Sequence, residues 1–300
     1  MPFIYRVFSK IISSDFEINF LTSYGLIGKE RIDIEVSRNN QLSFDHITCN
    51  NKSSYSCNSS KSKIYLANIA YLEIINSGKL INYRELKDFK KFYTLFLSKF
   101  LNHIIPYSLY MSKELVLHAS GISNLNNSVL FIGRPGSGKS SLSASFSEYS
   151  FISEDSILIN FIESSCYATG SFPFIKLDGF IPQKIWKRKK EIVKVPGELS
   201  GRNLYKIPNF IKKKTRIKLC YILRWSDKFK ITKFGLKESL RELHASSFGP
   251  NPLNSCPESQ SFQYLQFTKF IKTVPIFLLE RNKKDFFKNN DKIIKHANIL

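Results

Sequence analysis

The stretch Val129-Leu130-Phe131-Ile132-Gly133-Arg134-Pro135-Gly136-Ser137-Gly138-Lys139-Ser140-Ser141 decides how this chain is read. Its first four residues are wholly apolar, as a buried strand requires. The next eight match G-x-x-x-x-G-K-[ST] without a break. Glycines let successive backbone N–H groups turn inward around a phosphate. A helix starting near Lys139 adds its positive N-terminal end. Lys139 supplies a mobile cation for the β- and γ-phosphates, and Ser140 a hydroxyl for Mg2+. Gly133, Arg134, Pro135, Gly136, Ser137, Gly138, Lys139, Ser140 and Ser141 are thus the expected nucleotide-binding set, with ATP and Mg2+ as cofactors. The order strand, glycine loop, helix separates this segment from a chance glycine-rich turn.

A phosphate loop does not say what is done with the nucleotide; a second element must hold the metal or activate a nucleophile. Ser153-Glu154-Asp155 follows the apolar pair Phe151-Ile152, one helix beyond Ser140. A neighbouring strand would deliver these carboxylates to the phosphate side. Glu154 is the expected metal ligand beside Ser140, and Asp155 the expected acceptor of a hydroxyl proton. An ordinary acidic turn is the plainer alternative. Asp227, beyond the run Leu219–Leu223, competes for the role, but Arg224, Trp225 and Ser226 intervene.

Working outward, the elements alternate in α/β fashion. Strands are expected at Leu115–Ile122, within Phe151–Phe161, at Leu219–Leu223 and at Val274–Leu279. Helices are expected at Lys139–Ser147, Leu236–His244, Gln260–Ile271 and Lys284–Ala297. Residues 1–83 read as a small β-rich module, with strands at Phe3–Phe8 and Ile64–Ile75 and a loop over Asn50–Lys63. Between 84 and 105, Leu86, Phe89, Phe92, Phe96, Phe100 and Ile104 recur at helical spacing, which predicts one long amphipathic helix. The expected organisation is therefore 1–83, a connecting helix over 84–113, and a catalytic domain over 114–300.

The composition sets bounds on function. With 43% apolar residues in 300, a sizeable core is possible. No apolar run reaches 18 residues, so no transmembrane helix is expected. The first residues do not have the pattern of a signal peptide. Five scattered cysteines without a CxxC pair argue against a disulfide framework or zinc site and fit a reducing cytoplasm. The formal charge is +21, and it is uneven. Residues 1–150 carry 17 Lys+Arg against 11 Asp+Glu, and residues 151–300 carry 28 against 13. Such a field attracts polyanions. Abundant Lys, Asn, Ile, Phe and Ser also fit an AT-rich genome, with much of the charge simply solvated.

Three segments together resemble the catalytic core of bacterial HPr kinase/phosphorylase and its shorter relatives. They are Leu117-His118-Ala119-Ser120-Gly121, Val129–Ser141 and Phe151-Ile152-Ser153-Glu154-Asp155. Those proteins typically show a leucine-His-alanine segment, a hairpin, a P-loop and a Ser-Asp-Asp strand in this order. Tyr5-Arg6-Val7-Phe8 with Ser13-Ser14, the segment Ile64–Ile81, and Phe172–Leu177 are similar to further parts of the family. The resemblance implies a fold akin to phosphoenolpyruvate carboxykinase, with the P-loop on a mixed sheet. It also implies ATP-dependent transfer to a serine hydroxyl, in some relatives on the precursor of a lasso peptide. It carries His118 over as a pocket residue that bonds Asp155 or the γ-phosphate, with a pH-sensitive role; a histidine satisfied within a core strand is the alternative. Lys176 becomes a contact for the transferring phosphate or an acidic substrate, unless it is a surface lysine. Two departures stand out. The family's first aspartate is Glu154 here, and no Glu-x-Arg-Gly segment marks this chain as a true HPr enzyme.

The leading expectation is a kinase with Asp155, His118 and Lys139 as catalytic residues and a hydroxyl-bearing, acidic peptide or small protein as acceptor. A nucleotide-dependent binding or assembly protein without phosphotransfer is the second reading, supported by Glu154. A nucleic-acid-acting ATPase lacks a clean carboxylate strand end and a basic-aromatic repeat. The family's hexamers leave an oligomer open.

Overall fold

The structure is a computed structural model describing residues 2–19, 21–23, 30–43, 53–57, 60–178, 181, 185–186, 193–199, 202–247, 257–284 and 287–299. The chain forms two compact units, Met1–Glu114 with Gly249–Gln263, and Leu115–Phe248 with Tyr264–Leu300. Among the described residues no helix is long and apolar enough to cross a membrane.

The first unit is built on seven strands: β1 (Phe3–Val7), β2 (Lys10–Ser14), β3 (Ile34–Arg38), β4 (Ser54–Cys57), β5 (Ser62–Leu66), β6 (Ala70–Ile75) and β7 (Leu80–Glu85). Their order in the sheet is β1-β2-β3-β7-β6-β5-β4. The contacts β2–β3 and β3–β7 are parallel, the others antiparallel. Aromatic rings fill the space on this sheet. Phe16 meets Tyr83, Phe96 and Phe100 edge-on at 5.2–5.3 Å, a favoured geometry for ring quadrupoles.

Three expectations for this unit are corrected. The strand expected over Ile64–Ile75 is two, β5 and β6, joined by a turn at residues 67–69 and paired antiparallel. The long helix over 84–105, and with it the connecting helix over 84–113, does not form as one element. β7 runs to Glu85, and the N–H of Leu86 bonds the carbonyl of Ile69. The hairpin ladder thus captures the first residue of the supposed helix. Helix begins only at α1 (Tyr93–Lys99), passes through a π turn at Phe100–Ile104, and continues as α2 (Ile105–Met111), with Pro106 in its first turn. The loop expected over Asn50–Lys63 contains β4 and the start of β5; residues 50–52 and 58–59 lie outside the described set.

The second unit carries β8 (Leu115–Leu117), β9 (Ala119–Ser123), β10 (Asn127–Ile132), α3 (Lys139–Ser145), β11 (Ser150–Ser153), β12 (Ile157–Ile162) and β13 (Ser165–Gly170). Then follow β14 (Phe174–Leu177), β15 (Val193–Leu199), β16 (Arg202–Lys206), β17 (Thr215–Trp225) and β18 (Lys230–Lys233). α4 (Leu236–Ala245), α5 (Pro257–Thr273), β19 (Ile276–Arg281) and α6 (Asn290–Ala297) complete the chain. Nine strands form one mixed sheet in the order β11-β9-β10-β17-β13-β12-β8, with β19 paired to β17 and β18. β10, β17 and β19 are mutually parallel neighbours, so their carboxyl ends share one edge of the sheet. β14, β16 and β15 form a separate antiparallel sheet.

β10 is buried from Ser128 to Ile132, as its apolar run demands. Leu142 and Phe146 from the α3 segment, and Ile293 and Ala297 from α6, pack on Val129, Phe131, Tyr221 and Leu279. Leu115–Ile122 is two strands rather than one. β8 pairs with β12 while β9 pairs with β10 and β11, and His118 stands at the break. Phe151–Phe161 likewise divides into the end of β11 and most of β12, leaving Glu154 and Asp155 in the turn between them. The terminal helix starts at Asn290, not Lys284. Lys187–Lys190 lie outside the described residues, and Lys212–Lys214 are exposed.

Candidate functional site

The loop 133–138 joins the carboxyl end of β10 to α3, and ligands of open α/β sheets bind at such strand ends. Gly138 enters α3 with φ +81°, a left-handed value that a side chain disfavours. Its Cα is also crowded: a Cβ there would lie 2.7 Å from the Trp225 ring and 2.9 Å from the Arg281 guanidinium. Arg134, Pro135 and Gly136 are exposed, Ser140 and Ser141 half-buried, and Ser137 and Lys139 buried. Lys139 folds back so that Nζ donates to the carbonyl of Gly133 at 2.8 Å. Burial brings its pKa down to about 8, against the upward pull of Asp155 and Glu154.

The turn after β11 places both carboxylates here. Glu154 is 3% exposed. It accepts from the Ser140 hydroxyl at 3.1 Å on Oε1 and from the backbone N–H of Lys176 at 2.8 Å on Oε2. Burial, and then the charge of Asp155, raise its pKa to about 8. Asp155 pairs with Lys176 Nζ at 2.6 Å. Burial opposes charge on Lys176, but the two carboxylates overcome it and raise its pKa. β14 contributes both the backbone donor and the cation, because Lys176 sits mid-strand facing the turn. His118 reaches the same turn through Nδ1, 3.0 Å from the backbone carbonyl of Asp155. That contact puts the proton on Nδ1. Burial, with help from the Lys139 charge, lowers the His118 pKa to about 4. That direction favours the neutral ring.

The structure therefore brings Lys139, Ser140, Glu154, Asp155, Lys176 and His118 together. Asp227 is not among them: it is exposed, two residues beyond the end of β17. What β17 delivers to the loop is Trp225, whose Nε1–H donates to the carbonyl of Gly136 at 2.9 Å. β19 delivers Arg281, which donates Nη2–H to the carbonyls of Ser137 at 2.7 Å and Gly138 at 3.2 Å. Sequence reasoning passed over both. Their one signal is position: each ends an apolar strand parallel to β10.

Among the described residues, no cluster of three or more His, Cys, Asp and Glu is placed to hold a metal. The Ser140–Glu154 pair instead offers one hydroxyl and one carboxylate oxygen beside the loop. That set fits Mg2+, which takes one or two protein oxygens and fills the rest of its octahedron with phosphate and water. A cavity of about 350 Å3 opens toward the opposite end of α3, lined by Phe146, Tyr149, Trp186 and Asn209 among others. Among the described residues, none of its lining side chains is charged.

No family model and no curated protein sequence matches the chain. Among solved structures, the "Hpr(Ser) kinase/phosphatase from Coxiella burnetii" is similar over 61% of this chain and 96% of that one, at 9% identity and a TM-score of 0.34.

Proposed function

We propose that the chain is an ATP-dependent phosphotransferase that moves the γ-phosphoryl group to a hydroxyl, most simply a serine of a peptide or small protein. The observation that carries this reading is the convergence of an intact phosphate loop with a two-carboxylate turn, joined by the 3.1 Å contact from Ser140 to Glu154. The polyphosphate lies against the loop, and Lys139 leaves the Gly133 carbonyl to meet its outer phosphates. Ser140 and Glu154 would hold Mg2+, which neutralises phosphate charge. Asp155 orients the acceptor hydroxyl and takes its proton as the oxygen attacks the γ-phosphorus and ADP departs. Lys176 stabilises charge on the transferring group. His118 holds the backbone of the turn and with it the aim of Asp155.

One observation favours a second reading, a nucleotide-binding protein without transfer. Glu154 is already satisfied at both oxygens, and burial together with the charge of Asp155 favours its protonated form. A metal ligand must give that proton up. An assay with γ-labelled ATP, Mg2+ and serine-bearing peptides separates the two. The kinase reading expects label transfer that disappears in Asp155→Ala while ATP binding survives. ATP hydrolysis that needs no acceptor and is untouched by Asp155→Ala would favour the second reading and sink the first.

A further inference from the structure

Arg281 is the largest fully buried side chain described, at 2% exposure. It ends β19 directly opposite Trp225 on β17, and its guanidinium carbon lies 4.2 Å from the centre of the Trp225 ring. A buried guanidinium normally meets a carboxylate, because an unbalanced charge away from water is costly. Among the described residues no acidic side chain forms an ion pair with it. Among the described residues only Nη2 is bonded, to the carbonyls of Ser137 and Gly138, and Nε and Nη1 have no partner. The Ser137 hydroxyl, buried in the same loop, has none either. The chain thus keeps an uncompensated cation and an unmet hydroxyl behind one short segment of backbone.

That segment is specific. The carbonyls of Ser137 and Gly138 belong to the peptide units whose N–H groups are those of Gly138 and Lys139. A charged donor on a carbonyl polarises the whole peptide unit and strengthens its N–H as a donor. In a phosphate loop those N–H groups are the ones that face the anion. The indole of Trp225 holds the guanidinium in place from one side and fixes the loop through Gly136 on the other. Capping the two carbonyls alone would need only a neutral donor, so the charge calls for a further explanation.

We propose that Arg281 is a positioning residue for polyphosphate: held by Trp225, it primes the Gly138 and Lys139 N–H groups from behind the loop, and its charge is balanced only when an anion occupies the front. This rests on the phosphate-loop reading above and adds to it a cation supplied from a strand 143 residues away in sequence.

The test is titration of the full chain with tripolyphosphate by calorimetry, together with the melting midpoint of the ligand-free protein, for the parent and for Arg281→Met, Arg281→Gln and Arg281→Lys. The expected result is tripolyphosphate binding at least tenfold weaker in Arg281→Met, with a ligand-free midpoint equal to or above the parent's. Loss of an uncompensated charge does not harm the empty protein, whereas loss of a merely structural residue lowers the midpoint. Arg281→Lys, which keeps the charge, binds within threefold of the parent, and Arg281→Gln binds like Arg281→Met. If Arg281→Met fails to fold, the Lys and Gln pair still decides: equal weakening of the two overturns the proposal. Binding by Arg281→Met within twofold of the parent also overturns it and leaves the phosphate-loop reading standing. Absence of binding by the parent overturns both.

Discussion

Gly138 and Gly136 hold nearly the same backbone angle, φ +81° and +80°, in very different surroundings. A Cβ on Gly136 meets nothing within 4 Å, so Gly136→Ala bears only the left-handed penalty of about 1–2 kcal/mol. A Cβ on Gly138 bears that penalty and also strikes the rigid Trp225 ring. Gly138→Ala is expected to abolish ATP binding, while Gly136→Ala weakens it by at most about 30-fold. Equal losses in a binding titration would mean that the contact with Trp225 does not shape the loop. His118 gives a second prediction at this scale. Its folded pKa of about 4 lies below the ordinary 6.5. Between these values the unfolded chain holds a proton that the folded chain lacks. Stability is therefore full above pH 6.5 and falls as pH drops toward 4, by up to about 3 kcal/mol. His118→Gln, which keeps a donor for the Asp155 carbonyl, is expected to flatten this window in urea unfolding. A variant as acid-sensitive as the parent would assign the effect to other groups. The residues that carry the loop motif were legible because their spacing is local and covalent. Trp225 and Arg281 were not, because only strand pairing between β10, β17 and β19 brings them to residues 136–138.

Elements were legible where one face or one run decided them. β10, α4 and the core of β17 follow their apolar patterns. The segment over 84–105 misled because Leu86, Phe89 and Phe92 have helical spacing for another reason. Only Phe89 is buried; Leu86 is half-buried and Phe92 exposed, in turns tied to the β6–β7 hairpin through the carbonyls of Asn68 and Ile69, and a period of 3.6 cannot be told from such a coincidence over two turns. The single strand expected at Leu115–Ile122 hid a similar ambiguity, since two strands in different pairings share one apolar run. β14 shows what such placement does for the site. Its Lys176 supplies a backbone donor to Glu154 and a cation to Asp155. Both members of the Lys176–Asp155 pair are mostly buried, with side chains 17% and 20% exposed. Lys176→Met leaves two adjacent carboxylates without their cation and is expected to cost about 2–4 kcal/mol in urea unfolding. Adding Asp155→Asn should recover part of that loss, with a coupling energy of about 1–3 kcal/mol in the double-mutant cycle. Additive losses would show that the pair is not an energetic unit.

Across the whole molecule, composition gave the charge but not its distribution between two kinds of environment. Lys212, Lys213, Lys214, Arg216 and Lys218 are exposed along the approach to and the first half of β17. Lys139 and Arg281 are 7% and 2% exposed at the loop. These two sets should respond differently to salt. The screening length shrinks from about 10 Å at 0.1 M to about 3 Å at 1 M, and buried charges are screened least. Retention of the protein on heparin, a polyanion without sequence or nucleotide character, should therefore collapse as salt rises. ATP binding at the loop should weaken far less over the same range. Lys139→Met is expected to remove ATP binding and leave the heparin elution point unchanged. The triple variant Lys212→Glu, Lys213→Glu, Lys214→Glu is expected to elute much earlier and keep ATP binding within about twofold. If both variants shift both measurements together, the surface field and the loop form one anion site, and the net charge of +21 is part of nucleotide recognition rather than a separate property of the surface.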